Sequence, residues 1–439
     1  MTVFSRNFIP VLSLVLLVAA SGTLAFSASL HNRFAVGGIH TSSSSTTTRR
    51  STTSLWAKAA KKKKTKTKNK SAAAPAGIKG FGGASTTTAA SSSSSNVATD
   101  RSKPALAFYD YMEEQQHGAG GNLKRAALGY FGSLRGVVAM RDLKKGDAII
   151  DIPYEMAINL GQEGGDPTLP ALELLKDYCQ QQQQQQPDNN NNPRKAYYDM
   201  LPPFRGDDSL GSTDFFSDAA LEALQSPTVV DETLKRRQRC QMRFDQDIDE
   251  SFPRWIDGTP VTSEHLQWAV WLITSRVLTV QGDSSEGKSY RLLIPFLDMC
   301  NHDRSSPHIL SGRAVPGGSL KVVAGAPVKA GEQINIAYGG GVAGNDRFLQ
   351  DYGFLDSDAK ANDIVALQLL GKRRILEGAG AGRIMAEADR EAALKLLRST
   401  TMDQDRVLLE EAKEDPGLRS AIQFRLGVKQ ALSKQIVMQ

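Results

Sequence analysis

Five short segments of the 439-residue chain carry side chains able to do chemistry: Ser133–Ala139 (SLRGVVA), Ser275-Arg276, Leu297–His302 (LDMCNH), Gly331–Gly339 (GEQINIAYG) and Asn345 through Asp351-Tyr352-Gly353-Phe354. Asn301 and His302 offer an amide and an imidazole, donors and acceptors in fixed directions. The same two residues would serve equally as a turn cap and a hydrogen-bonded core histidine. Arg276 is the one charge in the second half of an otherwise apolar stretch. A guanidinium there needs an anion, unless it only complements a helix C-terminus. Asp298 and His302, with Asp303 and His308, have the donor types of a metal site, but no helix-spaced H-E-x-x-H accompanies them and no metal is expected. Cys300 beside His302 invites a thiol-nucleophile reading. A sequence neighbour is not an oriented base, so that reading is set aside. Tyr338 shares a strand face with Ile334 and Ile336 by the two-residue period, which puts a phenol at the end of an apolar face. The Gly339–Gly344 run lacks the G-K-[ST] of a phosphate loop.

Elements that would position these residues can be read around them. Thr262–Val280 is predicted as a central buried helix, apolar almost all round, with Pro260 before it and Ser or Thr at its cap. Gly136–Pro153 predicts two strands joined through a Lys-Lys-Gly-Asp turn. Residues 290–338 return to strand patterns, and Leu367 onward is helical. Between them, residues 155–265 carry helical pieces at Leu172–Tyr178 and Ala219–Phe244. The tract Gln180–Gln186 with Asn189–Asn192 has no apolar side chains to pack and is expected as a disordered surface insertion. Leu143-Lys-Lys-Gly-Asp-Ala-Ile is echoed by Val328-Lys-Ala-Gly-Glu-Gln-Ile, read as shared hairpin chemistry rather than a repeat.

Composition narrows the function classes. Lys and Arg number 53 against 47 Asp and Glu, but the first acidic residue is Asp100, and 13 of the basic residues precede it. The body from residue 100 therefore carries 40 basic and 47 acidic groups, which argues against a basic nucleic-acid-binding surface. Cys179, Cys240 and Cys300 form no C-x-x-C, so neither a disulfide scaffold nor a cysteine zinc site is expected. Phe8–Ala20 is a short apolar run, and Ser21–Ala25 offers small residues for signal peptidase. Phe26–Thr99 has no acidic residue and is rich in Ser and Thr, with a Lys61–Lys70 cluster; it reads as a transit peptide and flexible linker. With Phe26 directly after the cleavage site, this leader resembles the bipartite leaders that carry proteins into secondary plastids. The lysine cluster alone would read as a nuclear address or a nucleic-acid tail, with nucleus or cytoplasm as the alternative location, but a chain entering the secretory route favours the plastid stroma.

In order, the five segments resemble the SET-domain protein methyltransferases, in the group that includes the Rubisco large-subunit lysine methyltransferase and the actin-histidine methyltransferase. The resemblance covers about residues 105–430 and rests mainly on D-M-x-N-H followed about thirty residues later by G-E-Q-I-x-I-x-Y-G. It implies an α+β fold. A β-rich SET domain with a threaded loop would span 104–358, interrupted by a helical insertion at about 155–265. A helical substrate-binding domain would span 359–439, with a signal peptide at 1–25 and transit peptide and linker at 26–103. The implied cofactor is S-adenosylmethionine. Asn301 and His302 would hold its amino-acid and adenine ends, the backbone of Ser133, Leu134, Arg135 and Gly136 would lie against it, and Arg276 would meet its carboxylate. Asp298 and Tyr338 would also belong to the cofactor site. Ser133 stands where the family often has an acidic residue. Tyr338 would be the catalytic tyrosine, with Tyr352 lining the same channel; the family spacing is a residue or two shorter, which implies extra residues at Gly339–Gly344. The implied reaction is methylation of a lysine in a non-histone plastid protein, Rubisco large subunit or stromal aldolase. Histidine methylation, an inactive binding module and a metal hydrolase built on Asp298, His302 and His308 are the alternatives. A monomer is expected, with no nucleic-acid partner and no membrane segment in the mature chain.

Overall fold

The computed structural model describes residues 98–114, 119–183, 193–206, 211–371 and 387–437. The expected signal and transit segments up to residue 97 lie outside these, as do residues 184–186 and 189–192 of the glutamine and asparagine tract. The strands among the described residues are β1 (Ala126–Phe131), β2 (Leu134–Ala139), β3 (Ala148–Pro153), β4 (Ile158–Gln162), β5 (Leu278–Gln281), β6 (Ser289–Leu293), β7 (Asn301–His302), β8 (Ile309–Gly312), β9 (Ser319–Val323) and β10 (Gln333–Ile336). They form three small sheets ordered β1-β2-β10-β7, β3-β9-β8 and β4-β6-β5. β7 runs parallel to β10, while every other named strand pair is antiparallel.

The longer helices are α1 (Lys103–Glu114), α2 (Thr168–Gln183), α3 (Pro193–Tyr198), α4 (Asp218–Ala223), α5 (Pro227–Asp247), α6 (Ser263–Arg276), α7 (Ala359–Leu369), α8 (Glu387–Ser399), α9 (Met402–Glu411) and α10 (Pro416–Val437). α6 is the predicted central helix, and every residue from His265 to Ile273 is buried. It stops four residues earlier than expected. Val277 onward is extended, and Leu278–Gln281 pairs with β6, where β-branched Thr279 and Val280 suit a strand.

The Lys-Lys-Gly-Asp turn differs from expectation. β2 and β3 flank it but enter different sheets, so no hairpin closes there. Leu143 instead pairs with Val328: each backbone N–H donates to the other's carbonyl, at 2.8 and 3.0 Å. The two echoing segments are thus bridge partners with the same turn. Lys144 N–H donates to the Asp147 carboxylate and Lys329 N–H to that of Glu332, each at about 2.9 Å or less.

The insertion is helical through α2 to α5. Gln180–Gln183, expected as disordered, continue α2, because Gln182 is buried and donates to Asp199 at 2.8 Å while Lys195 donates back to it. A side chain paired on both polar ends needs no apolar contact to be ordered.

Two apolar cores result. The larger surrounds α6 and the sheets; the smaller joins Val365, Leu396, Phe424 and Leu432 of the C-terminal helices to Phe216, Leu221 and Val229 around α4 and α5. Lys429 is wholly buried in this smaller bundle, where it and Arg425 both pair with Asp405 at 2.9 Å. No helix among the described residues is long and apolar enough to cross a membrane.

Candidate active site

Arg135, Gly136, Arg276, Asp298, Asn301, His302 and Tyr338 lie where β2, β7, β10 and the end of α6 meet. Parallel pairing sets Asn301 opposite Asn335 and His302 opposite Ile336, so the two strongest motifs are neighbouring strands. Asn301 Nδ2 donates to the Arg135 carbonyl at 3.0 Å, tying β7 to β2. Gly136 is required by this approach. A Cβ there would fall 2.5 Å from Asn301 Nδ2 and 2.7 Å from Gln333 Nε2. Phe296, just before the motif, is buried with φ at 71°, a left-handed conformation that costs a non-glycine residue on the order of 1–3 kcal/mol.

Arg276 ends α6 and points at Asp298. Its Nη1 donates to the Asp298 carbonyl at 3.2 Å and to Oδ2 at 3.3 Å. Tyr197, a wholly buried residue of α3 that sequence reading missed, donates its hydroxyl to the same Oδ2 at 2.9 Å. Burial pushes the Asp298 carboxyl above its usual range, against the pull of Arg276 and Tyr197. The anion that Arg276 needs is therefore partly supplied from within. Arg276 Nε and Asp298 Oδ1 are buried without partners among the described residues. Both residues line a narrow pocket that also takes in Ser275, Cys300, Tyr338 and Tyr352. An unpartnered donor and an unpartnered carboxylate oxygen are the complements of a group that carries both a carboxylate and an ammonium. The amino-acid end of S-adenosylmethionine is such a group.

Tyr338 follows β10 and donates its hydroxyl to the Cys300 carbonyl at 2.6 Å. Burial drives this phenol well above its usual range, so it is neutral at physiological pH. The Cys300 thiol is pushed up in the same way, by burial and then by Asp298, which leaves no thiolate for nucleophilic work. Tyr352, in a π-helical turn over Phe348–Tyr352, stacks on Tyr338 with ring centroids 4.9 Å apart. Phe354 completes an aromatic wall and is partly exposed.

Both ring nitrogens of His302 are engaged inside the protein. Nδ1 accepts from the Tyr338 backbone N–H at 3.0 Å, so Nε2 carries the proton and faces Asp356 Oδ2 at 3.3 Å. Asp356 and its second partner, Arg304, are site neighbours that sequence reading missed. Ser133 and Leu134 lie at the exposed tip of the β1–β2 hairpin, away from the pocket lining, whereas Arg135 and Gly136 border Asn301. Among the described residues, no three His, Cys, Asp or Glu side chains gather as a metal would require. A larger surface pocket beside Asp177, Arg194 and Tyr198 contains none of the predicted residues.

No family model matches the chain. Among curated proteins it is 25% identical over 241 residues to the chloroplastic [fructose-bisphosphate aldolase]-lysine N-methyltransferase of Arabidopsis thaliana, covering 52% of this chain and 47% of that one. It is 26% identical over 255 residues to the chloroplastic ribulose-1,5 bisphosphate carboxylase/oxygenase large subunit N-methyltransferase of Nicotiana tabacum, covering 53% and 48%. The chain spans about half the length of the curated relatives it matches. Among solved structures, the SET domain of LSMT bound to MeLysine and AdoHcy matches with a TM-score of 0.53 at 17% identity, covering 77% of this chain and 91% of that one. Rubisco LSMT bound to AdoMet matches with a TM-score of 0.51 at 17% identity, over the same shares. The fold is that of the SET domain, of α+β class, and the resemblance read from the motifs to the Rubisco-methyltransferase group is borne out.

Proposed function

We propose that this chain is an S-adenosylmethionine-dependent protein-lysine methyltransferase acting on a non-histone plastid protein. One juxtaposition carries the reading: the Tyr338 hydroxyl, aimed at the Cys300 carbonyl, shares a narrow pocket with Arg276, Asp298 and Tyr352. When bound, S-adenosylmethionine would supply a sulfonium methyl to an amine nitrogen in line, the N–C bond forming as the C–S bond breaks and S-adenosylhomocysteine leaves. Arg276 Nε and Asp298 Oδ1 are the unpartnered atoms offered to its amino-acid end, and Asn301, next in sequence to the pocket-lining Cys300, ties down the Arg135 carbonyl. His302 contributes by holding the Tyr338 backbone, since its ring nitrogens are already used.

Tyr338 stays a neutral phenol, so it orients the reacting groups rather than taking a proton. A lysine amine entering alongside the aromatic rings leaves water, and burial lowers its pKa from about 10.4. Its proton leaves to solvent. Alignment of amine and methyl at about 3–3.5 Å is then the main task of the site.

Rubisco large subunit and fructose-bisphosphate aldolase are the substrates to try first, because the curated relatives are named for them. Those names also favour the plastid, and the leader pattern favours the stroma. We take the active form to be a monomer, residues 104–358 to be the SET domain and 359–439 the substrate-binding helices. The test is calorimetric binding of S-adenosylmethionine followed by radiolabelled methyl transfer to stromal extract, with the modified residue located by mass spectrometry. Methyl-lysine on either protein is the expected result. Binding without transfer to any stromal protein would leave a binding module, and methyl-histidine would move the enzyme to the histidine class.

A further inference from the structure

Three consecutive glycines, Gly339, Gly340 and Gly341, follow Tyr338 with φ of 58°, 62° and 75°. Such a turn has no side chains to pack and carries the backbone entropy cost of glycine. Something else must hold it, and one carboxylate does so from two sides. Asp356 Oδ2 faces His302 Nε2 at 3.3 Å and accepts from Arg304 Nε at 2.8 Å. From there, His302 Nδ1 accepts the Tyr338 N–H at the start of the turn. Arg304 donates Nη1 to the Gly341 carbonyl at 2.5 Å and Nη2 to that of Ala343 at 2.7 Å, at its end.

Asp356 is itself pinned. Its N–H donates to Asn345 Oδ1 at 2.8 Å, its carbonyl accepts from Asn345 Nδ2 at 3.1 Å, and its Oδ1 accepts the Asp358 N–H at 2.9 Å. The side chains of His302, Arg304 and Asp356 are all more than nine-tenths buried. Asp356 lies two residues after Phe354 and four after Tyr352, so the segment bearing one aromatic wall carries the anchor of the other.

We propose that Asp356 is a positioning residue that sets Tyr338 against Tyr352, acting through His302 on one edge of the glycine turn and Arg304 on the other. Its side chain is not part of the lining of the pocket that holds Tyr338. The inference rests on the methyltransferase reading for its catalytic consequence, but the clamp itself is observable without turnover. Asp356→Asn preserves size while replacing one acceptor oxygen with a donor, in a place where three donors already converge.

The experiment uses the chain labelled with 15N-histidine; His302, one of six histidines, is assigned by its loss in His302→Gln. The parent should show a fixed His302 tautomer, with Nε2 protonated and Nδ1 bare. Asp356→Asn should shift the Nε2 signal, because that nitrogen loses its charged acceptor, and its kcat for methyl transfer should fall about tenfold to a hundredfold. Its affinity for S-adenosylhomocysteine should stay within about twofold by calorimetry, a split that a merely structural loss would not produce. Arg304→Lys keeps a cation for Asp356 but cannot bridge two carbonyls. It should keep the tautomer and still lower kcat, and it carries the test if Asp356→Asn does not fold. An unchanged Nε2 signal in Asp356→Asn, or parental kcat in Arg304→Lys, overturns the proposal. A parent that transfers methyl to no protein sinks the methyltransferase reading instead, while the nitrogen spectra still decide whether Asp356 holds His302.

Discussion

Tyr338 and Tyr352 stack with their planes 29° apart, although one follows a sheet strand and the other ends a π-helical turn. Offset stacking contributes about 0.5–1.5 kcal/mol beyond area burial, too little to hold two loops in register alone. The partners behind each ring decide the geometry. Behind Tyr338 stand His302 and the Cys300 carbonyl; behind the Tyr352 turn stands Arg236 of α5, paired with Asp351.

Tyr338→Phe keeps the ring and removes only the hydroxyl that donates to Cys300. Methyl transfer should fall about a hundredfold from lost alignment, with cofactor binding near that of the parent. Stability should drop by about 1 kcal/mol for the orphaned carbonyl. Radiolabelled transfer and calorimetry on the same preparation check this; equal rates would leave Tyr352 as the better catalytic candidate.

Gly136→Ala should displace the Asn301 side chain, since the added methyl would lie 2.5 Å from Nδ2. Asn301→Ala removes that amide outright, and cofactor binding should weaken by about 1–3 kcal/mol. The two changes act on one contact, so the double variant should bind about as weakly as the worse single one. Additive losses in titration calorimetry would separate Gly136 from Asn301.

Arg276→Gln leaves the buried Asp298 carboxylate short of its main counter-charge, which should cost about 3–5 kcal/mol of stability. Adding Asp298→Asn should recover part of that loss. Urea unfolding of both single variants and the double variant measures it, and a double variant no more stable than Arg276→Gln would contradict the pairing.

Asp214 lies under α5, 3.7 Å from Arg236 Nη1, with neither carboxylate oxygen hydrogen-bonded among the described residues. Burial pushes this carboxyl up to about 6 from 3.8, against the pull of Arg236. The folded chain therefore holds the proton more tightly than the unfolded one, and stability is lost as pH rises from about 4 to about 6, then levels off. The loss is on the order of 3 kcal/mol. Asp214→Asn should remove this slope, so its advantage over the parent in urea unfolding should grow up to about pH 6. A pH-independent difference would refute it.

A fluorescent fusion of residues 1–100 should enter the plastid of a cell with a secondary plastid, because the segment pairs an apolar run with an acid-free Ser/Thr tract. Accumulation in the nucleus or cytoplasm would assign the Lys61–Lys70 cluster the addressing role instead.

Much of the site was legible because its residues fall in five short segments, several within recognisable strand and helix patterns. Ile334, Ile336 and Tyr338 share a face by the two-residue period, and α6 is apolar almost all round, so each declared its element and its burial without tertiary information. Asn301 and Gly136 could be chosen by residue type. Why they need each other could not, because the 2.5 Å clearance arises only when β2 and β7 flank β10.

Tertiary structure decided the partners. Tyr197 lies 101 residues from Asp298, and Asp356 lies 54 from His302; no period or local motif links positions so distant. The Lys144–Asp147 turn looked like a hairpin because local turn chemistry is the same whichever strand comes next, and the pairing of Leu143 with Val328 overrode it. Sequence by itself determined which residues could do chemistry, the buried helix that carries Arg276 and the strand that leads to Tyr338, since those follow from side-chain type and local periodicity; the strand itself stops at Ile336, before the glycine turn. The pairing of Arg276 with Asp298, the committed ring of His302 and the stacking of Tyr338 on Tyr352 were set only when chain segments far apart in sequence packed together. Burial then made each unpaired polar atom costly enough to fix its partner.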